Sequence, residues 1–135
     1  MNDLQHPHRP NPTQALPDRA CQMLVNTLTA LLPRPLSDSP QALLDRDHAA
    51  FDKVAAMLPV NEIEADLAAR CVVTAAQAED VMRLAHQYDG GMRTFIKLSA
   101  QYVALQRASL AAHSHLLRVQ AMRHKRESRT PAADA

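Results

Sequence analysis

The chain has no Trp and only two Phe and two Tyr in 135 residues. The large rings that dominate burial in most cores are therefore nearly absent. Leu, Ile, Val and Phe together number 29, barely above the roughly one-fifth share below which chains stay disordered. Glycine is almost missing too: the two present are adjacent, Gly90 and Gly91. These shortages exclude a thick globular core and a large sheet with many tight turns, and they favour helices. Cys21 and Cys71 form no CxxC, so no metal or redox motif is built from them. Both lie in apolar stretches, where Cys behaves as a small hydrophobe, and a reducing cytoplasm is the expected compartment.

Other absences narrow the function. The longest apolar stretch, Ala20 to Leu32, is broken by Gln22, Asn26, Thr27 and Thr29 and is too short to span a bilayer. The chain opens with Asn2, Asp3, His6 and His8 rather than a basic segment, so no export signal is expected. No GxxxxGK[ST], GxGxxG or GxSxG occurs, which removes the phosphate loop, the dinucleotide fingerprint and the nucleophile elbow.

What is present is alanine, 24 residues of it, set in helical periodicity. Residues 1–13 carry Pro7, Pro10 and Pro12 among polar side chains and read as a disordered tail. A single helical domain is expected over 14–128, with a second short tail at 129–135. Its first helix covers about 17–32, with Pro17 in the first turn and a stripe of Ala20, Leu24, Leu28 and Leu31. Pro33 and Pro35 end it. Ser39 caps a second helix with Pro40 at its first position, covering about 40–58 and showing Leu44, His48, Phe51, Ala55 and Leu58 at helical spacing. Asn61 followed by Glu64 is a capping-box pattern. It opens a third helix over about 62–88 whose apolar positions are Ile63, Leu67, Cys71, Thr74, Ala78, Val81, Ala85 and Tyr88.

The glycine pair falls between this helix and a fourth, about 92–125. Gly accepts the left-handed conformation that ends one helix and reverses the chain, and a short connection makes neighbouring helices antiparallel. The expected fold is all-α: a long antiparallel helical hairpin with two shorter helices packed at its open end. With the reversal near residue 90, positions summing to about 180 face one another. Cys71 then faces position 109, and Glu62 lies near Arg118 with Glu64 and Asp66 within a turn.

Charge is distributed unevenly along the chain. Residues 38–90 carry ten acids against four bases, and residues 91–135 carry eight bases against two acids. Part of that asymmetry is expected to pair within the hairpin, and part complements the macrodipole at the end of the fourth helix. The segment from Arg118 to Arg129 is the strongest candidate for an acidic partner, with Arg118, Arg123, Lys125, Arg126 and Arg129 as the contacts. It lacks interleaved aromatics for stacking on bases, and no apolar face accompanies it for a membrane surface.

The fourth helix shows two apolar seams at seven-residue spacing. One is Ile96, Val103, Leu110 and Leu117; the other is Leu98, Leu105, Ala112 and Val119, flanked by Phe95, Tyr102 and Leu116. Between them runs a polar strip of Ser99, Gln106, His113 and Gln120. So wide an apolar arc is expected to contact more than one neighbour, either the first two helices or a second copy. The strip either lines a wet groove and bonds locally, or is buried across an interface and fixes its register. Metal ligation and catalysis find no support: Asp45 and His48 have no matching pair on another helix, and Cys71 in apolar surroundings reads as inert. No cofactor and no small-molecule substrate are implied. The expected function is a non-catalytic helical interaction module, an adaptor or small regulator. It self-associates or takes a helical partner through Phe95, Tyr102, Leu105, Gln106, Leu110 and His113. The alternative is a nucleic-acid-binding accessory protein that uses the basic helix end.

Overall fold

Local chemistry sets four helices, and the computed structural model shows them over the residues it describes, 16–87 and 89–129. They are α1 (Asp18–Leu31), α2 (Pro40–Ala56), α3 (Glu62–Gln87) and α4 (Gly91–Arg129), with no strand among the described residues. The tail expected at 1–13 lies outside them, as do residues 130–135. Arg129, assigned above to a tail, is helical.

Each boundary has a visible cause. The Ser39 side chain accepts a hydrogen bond from the Ala42 backbone N–H at 3.1 Å, with Pro40 at the first helical position. The Asn61 side chain does the same for the Glu64 N–H at 2.9 Å and donates its amide to the Glu64 carboxylate. Gly91 starts α4 at φ +79°, a backbone conformation that costs an L side chain about 1–2 kcal/mol.

α3 is the central element and α4 is its most extensive neighbour. The two run antiparallel: Cys71 and Ser109 meet midway, with the Ser109 hydroxyl donating to the Cys71 carbonyl at 2.9 Å. The numbers 71 and 109 sum to 180, the register the glycine position implies. α1 runs alongside α3 in the same direction, since Arg19 pairs with Glu62 at 3.5 Å while Gln77 donates to the Leu31 carbonyl at 3.1 Å. The core joins Leu24 and Leu28 of α1, Ala50 and Val54 of α2, Leu116 of α4 and a block of α3 that includes Ala65, Ala68, Ala69, Val72 and Val73.

Several helix faces differ from the stripes read above. In the second helix Leu44 and His48 of the expected stripe are exposed, Leu58 is exposed beyond its end at Ala56, and Phe51 and Ala55 are half-buried beside the buried Ala50 and Val54, with Phe51 packed on the core. Leu31 and Ile63 are exposed as well. Leu67, Cys71, Ala78 and Ala85 are buried as the third-helix stripe requires, but so are Ala65, Ala69, Val72 and Val73 on its other faces. The reason is steric. Alanines at 65, 68 and 69 let α1 and α2 approach the back of α3, so this stretch is enclosed instead of half solvated. Glu62, expected near Arg118, finds Arg19 of α1.

A Cβ at Gly91 would meet nothing within 4 Å, so any cost of substitution comes from the backbone alone. Gly91→Ala is expected to lower the unfolding free energy by about 1–2 kcal/mol, read by chemical denaturation, with helical content by circular dichroism unchanged.

Candidate functional site

At 3.6 residues per turn, residues seven apart stack in columns along α4. Tyr102, Ser109, Leu116 and Arg123 form the column turned to α3: Ser109 and Leu116 are buried and the other two half-buried. About a third of a turn round the helix lies the column Ile96, Val103, Leu110 and Leu117, exposed at 58, 44, 65 and 55%. Met92 continues it at 73%. Over its 39 residues α4 has two buried side chains, Ser109 and Leu116. The outward column thus presents four exposed apolar side chains over about 30 Å, each about 10 Å from the next at 1.5 Å per residue, with Ser99, Ala100, Gln106, Arg107, His113 and Ser114 in the turns between them.

The interface candidates divide between these faces. Leu110 and Phe95 are exposed, whereas Tyr102 and Leu105 are half-buried on the side of Ser109. Gln106 donates to the Tyr102 hydroxyl at 2.9 Å, a bond within one turn of helix. Gln120, further along the same strip, donates to the Met57 carbonyl at 2.8 Å and closes the end of α2. His113 is exposed at the edge of a groove of about 480 Å³ between α2, α3 and α4, whose walls include Met57, Cys71, Val72, Leu116 and Leu117. Ile96, Val103 and Leu117 were visible in the sequence as a seam. Which of two seams turns outward depends on the rotation of α4 about its own axis, which the reversal at the glycines does not fix.

The basic end of α4 is partly claimed by the fold. Glu64 is fully buried, and a carboxylate removed from water needs partners. Arg123 supplies two: Nε donates to one Glu64 oxygen at 2.8 Å and Nη2 to the other at 3.3 Å. The two residues meet although their numbers sum to 187, because each side chain leans toward the N-terminus of its own helix. In an antiparallel pair those leanings converge. Arg123 also donates to Glu127 at 3.2 Å. The hydrogen bond to Glu64 raises the Arg123 pKa, with partial burial opposing, so this side chain is a permanent cation. Arg118, Lys125, Arg126 and Arg129 are exposed on the same helix end, with His124 near Glu127 at 3.8 Å.

The Cys71 sulfur lies 3.6 Å from the Ser109 hydroxyl, which itself donates to a carbonyl. That arrangement satisfies the serine and provides no base for the thiol. Among the described residues no group of three or more His, Cys, Asp or Glu is placed to hold a metal ion. None of their helices is long and apolar enough to cross a membrane. Comparison with protein-family models, with curated proteins and with solved structures finds no match to this chain.

Removing one partner of a buried ion pair leaves the other charge uncompensated. Arg123→Ala is therefore expected to cost about 2–4 kcal/mol of stability, whereas Arg118→Ala, at an exposed position on the same helix end, changes it by less than about 0.5 kcal/mol. Parallel urea titrations check the contrast.

Proposed function

We propose that the chain is a non-catalytic helical interaction module, an adaptor or small regulator, that self-associates through the outer face of its long hairpin. The observation that carries this reading is the exposed column Ile96, Val103, Leu110 and Leu117. Single exposed apolar residues are ordinary on any protein surface. Four in register, extended by Met92, form an aligned apolar column, interrupted by polar turns, of the kind a contact site uses. Its seven-residue repeat supplies one of the two seam positions per heptad of a left-handed supercoil, and the other is held by the small Ala100, Ser114 and Ala121, with Arg107 at the centre. The partner is accordingly a helix, and the simplest source of one is another copy of the chain. No cofactor or small molecule enters the proposal, and the compartment it assumes is the cytoplasm, on the cysteine usage.

Nucleic-acid binding at the end of α4 is the weaker alternative. Of its five cations, Arg123 is turned inward to Glu64, and Glu127 stands among the rest. Phosphate binding scales with the cations offered, and here the central one is committed.

Light scattering coupled to gel filtration is expected to give a dimer mass for the unchanged chain at tens of micromolar. Leu110→Glu, at an exposed position, is expected to shift that mass to the monomer with helical content intact. A monomer mass for the unchanged chain at such concentrations rejects self-association. Retention of generic DNA at low salt, weakening steeply as salt rises, would favour the nucleic-acid alternative.

A further inference from the structure

Resting on that self-associating reading, we infer that two copies pair α4 against α4 antiparallel, about a two-fold axis between residues 106 and 107. The pairing sets Val103 against the partner's Leu110 and Ile96 against the partner's Leu117. The column itself supplies the first reason. Its first two members are β-branched and its last two are leucines. An antiparallel pairing about that axis places one of each kind in every layer: Val103 meets the larger Leu110 and Ile96 meets its isomer Leu117, so the layers differ in width by one methylene per pair. A parallel pairing would stack Val103 on its own copy and Leu110 on its own, giving layers of unequal width.

The area exposed is the second reason. Met92, Ile96, Val103, Leu110 and Leu117 are 44–73% exposed. At roughly 150–200 Å² for a fully exposed side chain of this size they present about 500 Å² per copy. Two copies together cover about 1,000 Å², the lower bound for a specific interface, before Ala100, Ser114 and Ala121 beside the column are included.

Charge chooses the direction. Every ionisable side chain of α4 other than its histidines, Tyr102 and Glu127 is Arg or Lys. In a parallel pair Arg118, Lys125 and Arg129 would each lie beside its own copy, and the helix dipoles would align. The antiparallel pair opposes the dipoles and carries the basic end of one α4 past the hairpin tip of the other. There the exposed Asp89 offers one carboxylate beside the exposed Arg93 and Lys97, so the advantage over a parallel pair is the avoided stacking of each cation on its own copy and the opposed dipoles. Arg107 meets its copy near the axis. It is exposed at the edge of the column, where a long guanidinium stem turns outward into water.

Disulfide trapping in the full-length chain tests the register. Val103→Cys and Leu110→Cys chains are mixed, oxidised and digested with trypsin, which separates position 103 in peptide 98–107 from position 110 in peptide 108–118. The mixed disulfide is expected at about tenfold excess over either like-with-like product, because facing positions come within the 4.4–6.8 Å Cα range a disulfide needs, while equivalent positions sit about 10 Å apart along the axis. Ile96→Cys mixed with Leu117→Cys repeats the measurement one layer out, so the result does not hinge on one substitution. Predominance of like-with-like products overturns the antiparallel register and leaves self-association standing. A dimer mass with none of these links places the interface on another face, and overturns both the inference and the surface named for self-association while leaving self-association itself standing. A monomer mass for the unchanged chain overturns self-association as well.

Discussion

A buried carboxylate governs this fold. Glu64 lies in the first turn of α3 with no exposure to solvent, and isolated in that position it would be prohibitively unfavourable. Three features make it tolerable. The helix start supplies positive potential from its unpaired N–H groups, Asn61 donates an amide proton, and Arg123 crosses from α4 with a two-pronged contact. Such a pair adds little net stability over a well-packed apolar substitute. It penalises alternatives instead: sliding α4 by one turn would strand a charge in the core. We regard the pair as the device that sets the register of the hairpin, with Cys71 and Ser109 as its second fixed point.

The same logic recurs at the helix ends. Seven of the described buried apolar residues are alanine, and each contributes little apolar area. Helices in such a protein need other fastenings, and the last carbonyls of a helix, which have no intrahelical donor, are natural anchor points. The Leu31 carbonyl at the end of α1 accepts from Gln77 of α3, and those of Leu32 and Pro33 accept from Arg46 of α2. The Met57 carbonyl just past α2 accepts from Gln120 of α4. Side chains of later helices thus close the ends of earlier ones. Among the described residues no buried side-chain nitrogen or oxygen lacks a hydrogen-bond partner, so this polar framework is complete where it is buried.

The parts of this architecture that were legible in the sequence are those written in local chemistry. Ser39 with Pro40, Asn61 with Glu64, and the glycine pair each state a boundary through one or two residues, and the reversal near residue 90 leads directly to the meeting of 71 with 109. The buried face of α2 was legible only in part, through Phe51, which packs on the core. Counting large apolar residues pointed to Leu44 and Leu58, yet Ala50 and Val54 are what fit where the helix lies close to its neighbours. In a chain with this much alanine, size complementarity decides burial and hydropathy alone misleads. Arg123 was seen as a surface cation for the same kind of reason. Its partner is 59 positions away, and nothing in its own neighbourhood reveals a carboxylate waiting in the core. The seven-residue columns of α4 were legible, but their assignment to inside and outside was not.

That last division explains why α4 is so long. α1 and α2 line grooves against it over residues 108–120, and α3 is its one extensive neighbour. A helix of 39 residues held mainly along one stripe is expensive to order, at about 1–2 kcal/mol of backbone entropy per residue, and helix propensity from its alanines offsets only part of that. The side facing α3 uses Tyr102, Ser109, Leu116 and Arg123, flanked by the half-buried Leu98, Leu105, Ala112 and Val119. The stripe of Ile96, Val103, Leu110 and Leu117 is the apolar one left facing water. The described interior takes nine Leu and Val side chains beside seven alanines, and four further large apolar residues stand exposed in one column of α4. Burying that column is the only gain left for an outer stripe that contributes nothing to the contact with α3, and it is on this that the proposed second interface rests.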